Sequence, residues 1–204
     1  MWWKKLKQVG PKVFILWLTT ADMFGQGFLV VDQASGTTNE LIQVFTPLPD
    51  IRIAQSFTPS LSAVGFVQLQ TVVFAISSAE TVVINLRQGA YNGPIVSSTD
   101  PVVLASGPIQ IATFYYPDNI PVTPGQLYFF EPVVLSAGSL DIGYKFPSSY
   151  PGGEAWNNGL PSGDTSDYWF REGIVVPEPR TVWFLLFGGG GFIWHWHVGR
   201  NSRL

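Results

Sequence analysis

The 204-residue chain has no cysteine. Disulfides, thiolate nucleophiles and cysteine-ligated metals are therefore excluded. It has two histidines, His195 and His197, both close to the C-terminus. The long stretch 28–176 consequently lacks the commonest general base and the commonest zinc ligand, and no Ser-His-Asp triad can be assembled within it. Basic residues are scarce there too. Arg52, Arg87, Lys145 and Arg171 stand against Asp32, Glu40, Asp50, Glu80, Asp100, Asp118, Glu131, Asp141, Glu154, Asp164, Asp167 and Glu172, a balance of eight negative charges. The formal net charge of the whole chain, −3, hides this because lysines and arginines gather at the two ends. A surface of that sign is repelled by phosphate backbones, so no nucleic-acid partner is expected. A sustained helical period is also missing from 28–176.

What that stretch does contain is short apolar runs between Gly, Pro, Asn and Asp punctuation, the pattern of strands and turns. In 81–87, Val82, Ile84 and Leu86 fall on one face, and Thr81, Asn85 and Arg87 on the other. In 140–146, Leu140, Ile142, Tyr144 and Phe146 oppose Asp141, Gly143 and Lys145. Further strands are expected at 53–57, 64–70, 101–105, 109–115, 127–135 and 169–175. Turns are expected at Asn92-Gly93-Pro94, Ser106-Gly107-Pro108, Thr123-Pro124-Gly125, Pro151-Gly152-Gly153 and Asn158-Gly159. Many strands with no helices between them predict an all-β, antiparallel β-sandwich, jelly-roll-like, with a closed barrel as the alternative. At about 149 residues, 28–176 forms one domain by the usual size prior. Glu131 shares a face with Leu127, Phe129 and Val133, and Arg171 lies in a strand with little other charge. Because a lone buried charge is costly, the two are expected to pair across the core, with Asp141 or Glu172 as alternative members.

The last 28 residues, 177–204, form a separate unit. They begin Pro177-Glu178-Pro179, continue through an apolar run from Thr181, and end with Arg200 and Arg203. Residues 181–198 contain no Asp, Glu, Lys or Arg, and a spanning helix needs about 20 predominantly apolar residues. The four glycines Gly188–Gly191 suit a membrane helix better than a strand interior. Trp194 and Trp196 suit the headgroup region, and Arg200 and Arg203 the cytoplasmic side. This tail resembles the PEP-CTERM sorting domain of bacterial surface and secreted proteins, in which the tripeptide precedes a transmembrane helix and an Arg-rich end. The positions that match are Pro177, Glu178, Pro179, Thr181, 182–193, Arg200 and Arg203. The resemblance implies a membrane-embedded exosortase as processing partner, cutting near the tripeptide. It also implies transient anchoring by the C-terminal helix, followed by release to the cell surface or exterior. The segment 168–176 looks like the end of the β-sandwich domain that often precedes such tails.

Residues 1–27 carry Lys4, Lys5, Lys7 and Lys12 ahead of the apolar run 13–18. That is the layout of a signal peptide, with cleavage expected around Gly25-Gln26-Gly27. The other reading of this segment is an interfacial basic helix that stays attached.

Two ligand chemistries are suggested by the domain between the ends. Tyr144, Tyr150, Trp156, Tyr168 and Trp169 are interleaved with Asn157, Asn158, Asp164 and Asp167. Flat rings stack on apolar sugar faces while amides and carboxylates bind the hydroxyls, so a polysaccharide-binding patch is one reading. The same rings also fit the core and rim of a sandwich. Calcium is the second, with Asp164, Asp167 and the carbonyls of 161–163 as oxygen ligands in a loop without EF-hand spacing; the opposing reading is solvated loop acids. Glu131, Asp141, Glu154 and Glu172 offer carboxylates for a glycosidase, but no spacing marks a pair. The sequence thus points to a non-enzymatic, exported surface or matrix protein without a required cofactor. A carbohydrate-active enzyme on the same scaffold is the alternative.

Overall fold

The alternating runs do become strands. The computed structural model describes residues 27–36, 43–45, 52–73, 79–136, 140–163 and 166–177. The expected signal segment, the spanning helix, Glu178, Pro179, Arg200, Arg203 and Asp164 lie outside them. Among the described residues no helix is long and apolar enough to cross a membrane.

In chain order the strands are β1 (Phe28–Ser35), β2 (Gln43–Phe45), β3 (Ile53–Phe57), β4 (Ala63–Val72), β5 (Ala79–Gln88), β6 (Ile95–Ser98) and β7 (Val102–Ala105). Then follow β8 (Gln110–Pro121), β9 (Tyr128–Val134), β10 (Asp141–Lys145), β11 (Ala155–Asn157), β12 (Leu160–Pro161), β13 (Asp167–Tyr168) and β14 (Phe170–Val176). They make two antiparallel sheets. One runs β1-β14-β4-β10-β13, with β8 on the other side of β4 and β2 on β10; the second runs β12-β11-β3-β9-β5-β6, with β7 on β5. The sheets pack face to face as a β-sandwich.

The core is the inward half of each alternation. From β5 come Val82, Ile84 and Leu86, all fully buried, as their spacing predicts. From β10, Ile142 is buried and Tyr144 packs against the cluster, whereas Phe146, just beyond the strand, is exposed. The two sheets meet through rings. Phe130 of β9 lies 6.0 Å from Phe57 of β3 and 5.1 Å from Phe170 of β14, centroid to centroid, and Tyr150 packs edge-on against Phe170 at 5.2 Å. Fully burying one such ring contributes about 1.5–3 kcal/mol, and each favourable ring pair roughly 0.5–1.5 kcal/mol more.

The expected Glu131–Arg171 pair does not form. Phe170 faces the core, so with a period of two Arg171 must face outward. It lies over the buried Trp169 ring, 5.2 Å from its centroid. In β9 it is Tyr128 and Phe130 that join the core, which places Phe129 and Glu131 on the outer face of the second sheet. Glu131 instead binds Arg52 and Arg87, its neighbours on either side across that face.

Candidate functional site

The open edge of the sandwich, where β10 and β13 of the first sheet approach β11 and β12 of the second, holds a pocket of ≈ 390 Å³. A tight hairpin builds its outer wall. Trp156 pairs with Pro161 and Asn157 with Leu160, leaving Asn158-Gly159 as a two-residue turn. Both turn residues have positive φ, 49° and 83°, the type I′ geometry that Asn-Gly favours. The hairpin presents Asn157, Asn158, Leu160, Pro161 and Ser162 to the pocket, while Tyr144 and Tyr168, a cross-strand pair between β10 and β13, line it from the other sheet.

Trp156 stands at the join. It lies opposite Ala54 of β3, on the outer face of the sheet. There its ring is stacked on Tyr91 (5.7 Å, 18°) and meets Phe129 edge-on (5.4 Å, 79°). Tyr91 comes from the turn between β5 and β6, and its hydroxyl donates to the Arg52 carbonyl at 2.7 Å. The Arg52 guanidinium lies 4.9 Å from the Tyr91 ring centroid and donates through Nε to Glu131 Oε1 at 2.5 Å. Arg87 Nε donates to Glu131 Oε2 at 2.7 Å, with Asn85 Nδ2 adding a longer bond to the same oxygen at 3.3 Å. Burial pushes the Glu131 carboxyl up; the bonds from Arg52, Arg87 and Asn85 outweigh it and leave its pKa below the ordinary value. Burial likewise pushes the Tyr168 hydroxyl well above its usual value, so it remains a neutral phenol.

Of the five rings read from the sequence, Tyr144, Trp156 and Tyr168 therefore converge on one pocket, together with Asn157 and Asn158. Tyr150 and Trp169 do not. Trp169 is fully buried, and Tyr150 is buried with its hydroxyl accepting from the Thr58 amide at 3.0 Å. Burial pushes that hydroxyl up to about 12. Ser166, Leu160 and Tyr91 were not singled out from the sequence. Leu160 follows from reading Asn158-Gly159 as a two-residue turn, but no local signal links Tyr91 to Trp156.

Two of the acidic candidates, Asp167 and Glu154, tie loops in place. Asp167 is fully buried, and its oxygens accept from Gln55 Nε2 (3.1 Å), Ser148 Oγ (2.7 Å) and the amides of Ser149 and Tyr150 (both 3.0 Å). It ties the 148–150 loop to β3. Among the described residues no group of three or more His, Cys, Asp or Glu is placed to hold a metal ion. Glu154 accepts from the Gly163 amide at 2.8 Å, Asp141 is buried, and Glu172 is buried on the core face of β14. None of the four glycosidase candidates lines the pocket. No protein-family model matches the chain, and no curated protein matches it.

Proposed function

We propose that this chain is an exported, non-enzymatic surface or matrix protein, sorted by a PEP-CTERM-type tail, whose β-domain binds extracellular polysaccharide at the Tyr144–Trp156–Tyr168 pocket. The observation that carries the binding role is the convergence of three rings and two side-chain amides, contributed by both sheets, on one open cavity. Apolar walls with a few placed polar groups are how small-ligand sites generally work. Among the described residues no carboxylate lines the pocket, which supports binding over hydrolysis, a reaction that needs two carboxyl groups flanking the scissile bond. The strand order favours a jelly-roll-like arrangement, since the chain passes repeatedly between sheets: β3, β5, β9 and β11 in one, β4, β8, β10 and β13 in the other.

The sorting role rests on the tail. β14 ends at Val176 and Pro177 is exposed immediately beyond it. A membrane-embedded exosortase would thus meet the first residue of its tripeptide already exposed. Intact-mass measurement on protein from its native envelope tests this role: a mature form shortened at the C-terminus near Glu178 is expected, and full-length protein recovered from the cytosol would refute it. Incubation with an insoluble polysaccharide panel tests the other. Retention without released sugar is expected, and soluble sugar products would establish the carbohydrate-active enzyme instead.

A further inference from the structure

We propose, resting on that reading of the pocket, that its ligand is a neutral glycan, a chain of uncharged sugar units, and that uronate-bearing and sulfated chains are refused. Among the described residues ten line the cavity: Tyr144, Ala155, Trp156, the run 157–158, 160–162, Ser166 and Tyr168, and none of them is charged. Recognition of a carboxylate or sulfate normally recruits a guanidinium fork. The arginines adjoining the Trp156 wall are both engaged elsewhere. Arg52 and Arg87 converge on Glu131, and Arg87 Nη1 donates to the Gly93 carbonyl at 2.7 Å. An anionic sugar entering here loses water without gaining a counter-charge, which is unfavourable. The excess of eight negative charges over 28–176 opposes its approach as well.

The lining suits hydroxyl groups instead. Asn157 and Asn158 each supply an amide that both donates and accepts, and Ser162 and Ser166 add hydroxyls. Tyr91 stacked behind Trp156 fixes that ring before ligand arrives, which lowers the ordering cost of binding. The cavity, ≈ 390 Å³, falls in the roughly 300–1,000 Å³ range of small-ligand clefts.

The test is affinity electrophoresis of the full-length chain in a zwitterionic, sugar-free detergent. Gels contain a neutral glucan, a galactomannan, alginate as the uronate chain, or dextran sulfate. At least one neutral gel is expected to slow the protein two-fold or more, and Trp156→Ala to restore free mobility; the anionic gels leave mobility unchanged. Asn157→Ala, an exposed rim change, is expected to weaken retardation and serves if Trp156→Ala does not fold. Retardation by alginate or dextran sulfate that these variants abolish would overturn the neutral class while sustaining a glycan site. Retardation by a neutral chain that neither variant alters would overturn the pocket assignment. No retardation in any gel would remove the polysaccharide reading itself, and this inference with it.

Discussion

Two glutamates, one in each sheet, are almost fully withdrawn from water and behave in opposite ways. Glu131, on the outer face of the second sheet, is held by two arginines and an asparagine. Glu172, on the core face of β14, has no hydrogen-bond partner for either oxygen among the described residues. Burial pushes the Glu172 carboxyl up to about 8, Asp32 adds to the shift, and the nearby Gln33 amide opposes it without reaching hydrogen-bond geometry. The hydroxyl of Tyr116, fully buried on β8, is likewise unpartnered and pushed up, first by burial and then by Glu172. What separates the two acids is partnership as well as depth: the same side chain is held toward its charged form where cations reach it and toward its neutral form where burial is deeper and none do.

The difference gives the domain opposed pH slopes. Glu172 has a folded pKa above its ordinary 4.5, so its contribution is complete below about 4.5 and is lost as pH rises toward about 8. At about 1.4 kcal/mol for each pH unit between the two values, the loss reaches several kcal/mol. Glu172→Gln, which cannot ionise, is expected to flatten that fall and to raise the urea midpoint at pH 8.5 above wild type; equal midpoints at that pH would show that Glu172 ionises freely in the fold. Glu131 has the reverse sign. Its folded pKa is depressed, so its contribution is present above 4.5 and is lost as pH falls below it. Glu131→Gln leaves Arg52 and Arg87 facing a neutral amide and is expected to cost about 2–3 kcal/mol at pH 7, read from chemical denaturation. An unchanged midpoint would reduce the double clamp to a surface ornament. The smallest effect is expected at the edge of the clamp. Tyr91→Phe keeps the stack on Trp156 but loses the bond to the Arg52 carbonyl, for about 1 kcal/mol. A loss as large as that of Glu131→Gln would show that the hydroxyl, rather than the ion pairs, organises this face.

The strands of the interior were legible because alternation survives in them. Val82, Ile84 and Leu86 announce both β5 and its buried side, and 53–57 matches β3 residue for residue. β1 was not legible. It is an edge strand with Phe28, Val30 and Val31 all exposed, so no face of it is purely apolar. β12 and β13, two residues each, are too short to carry a period. Around β9 the sequence was legible only in part. That Glu131 is buried and paired could be inferred, but Tyr128, Phe129 and Phe130 make both faces of the strand look like core, so the side was ambiguous and the partner wrong. The pocket rings were partly readable because 144–168 brings them close along the chain. Tyr91 and Arg52 reach Trp156 and Glu131 only through the fold, and nothing local marks them.

The way β14 is held bears on how the domain transmits tension. Phe28–Ser35 pairs along its whole length on one side, and Phe66–Leu69 pairs with its first four residues on the other. Where β4 no longer reaches, the Asn119 side-chain amide takes over, donating to the Val175 carbonyl at 2.9 Å and accepting from its amide at 3.0 Å. Gly65 makes this clasp feasible, since a Cβ there would collide with the Asn119 side chain and the Val175 nitrogen. A tug applied beyond Pro177 is therefore resisted on both flanks of the strand up to its penultimate residue, so the last strand is gripped like a rope between two hands and does not peel away like a zip.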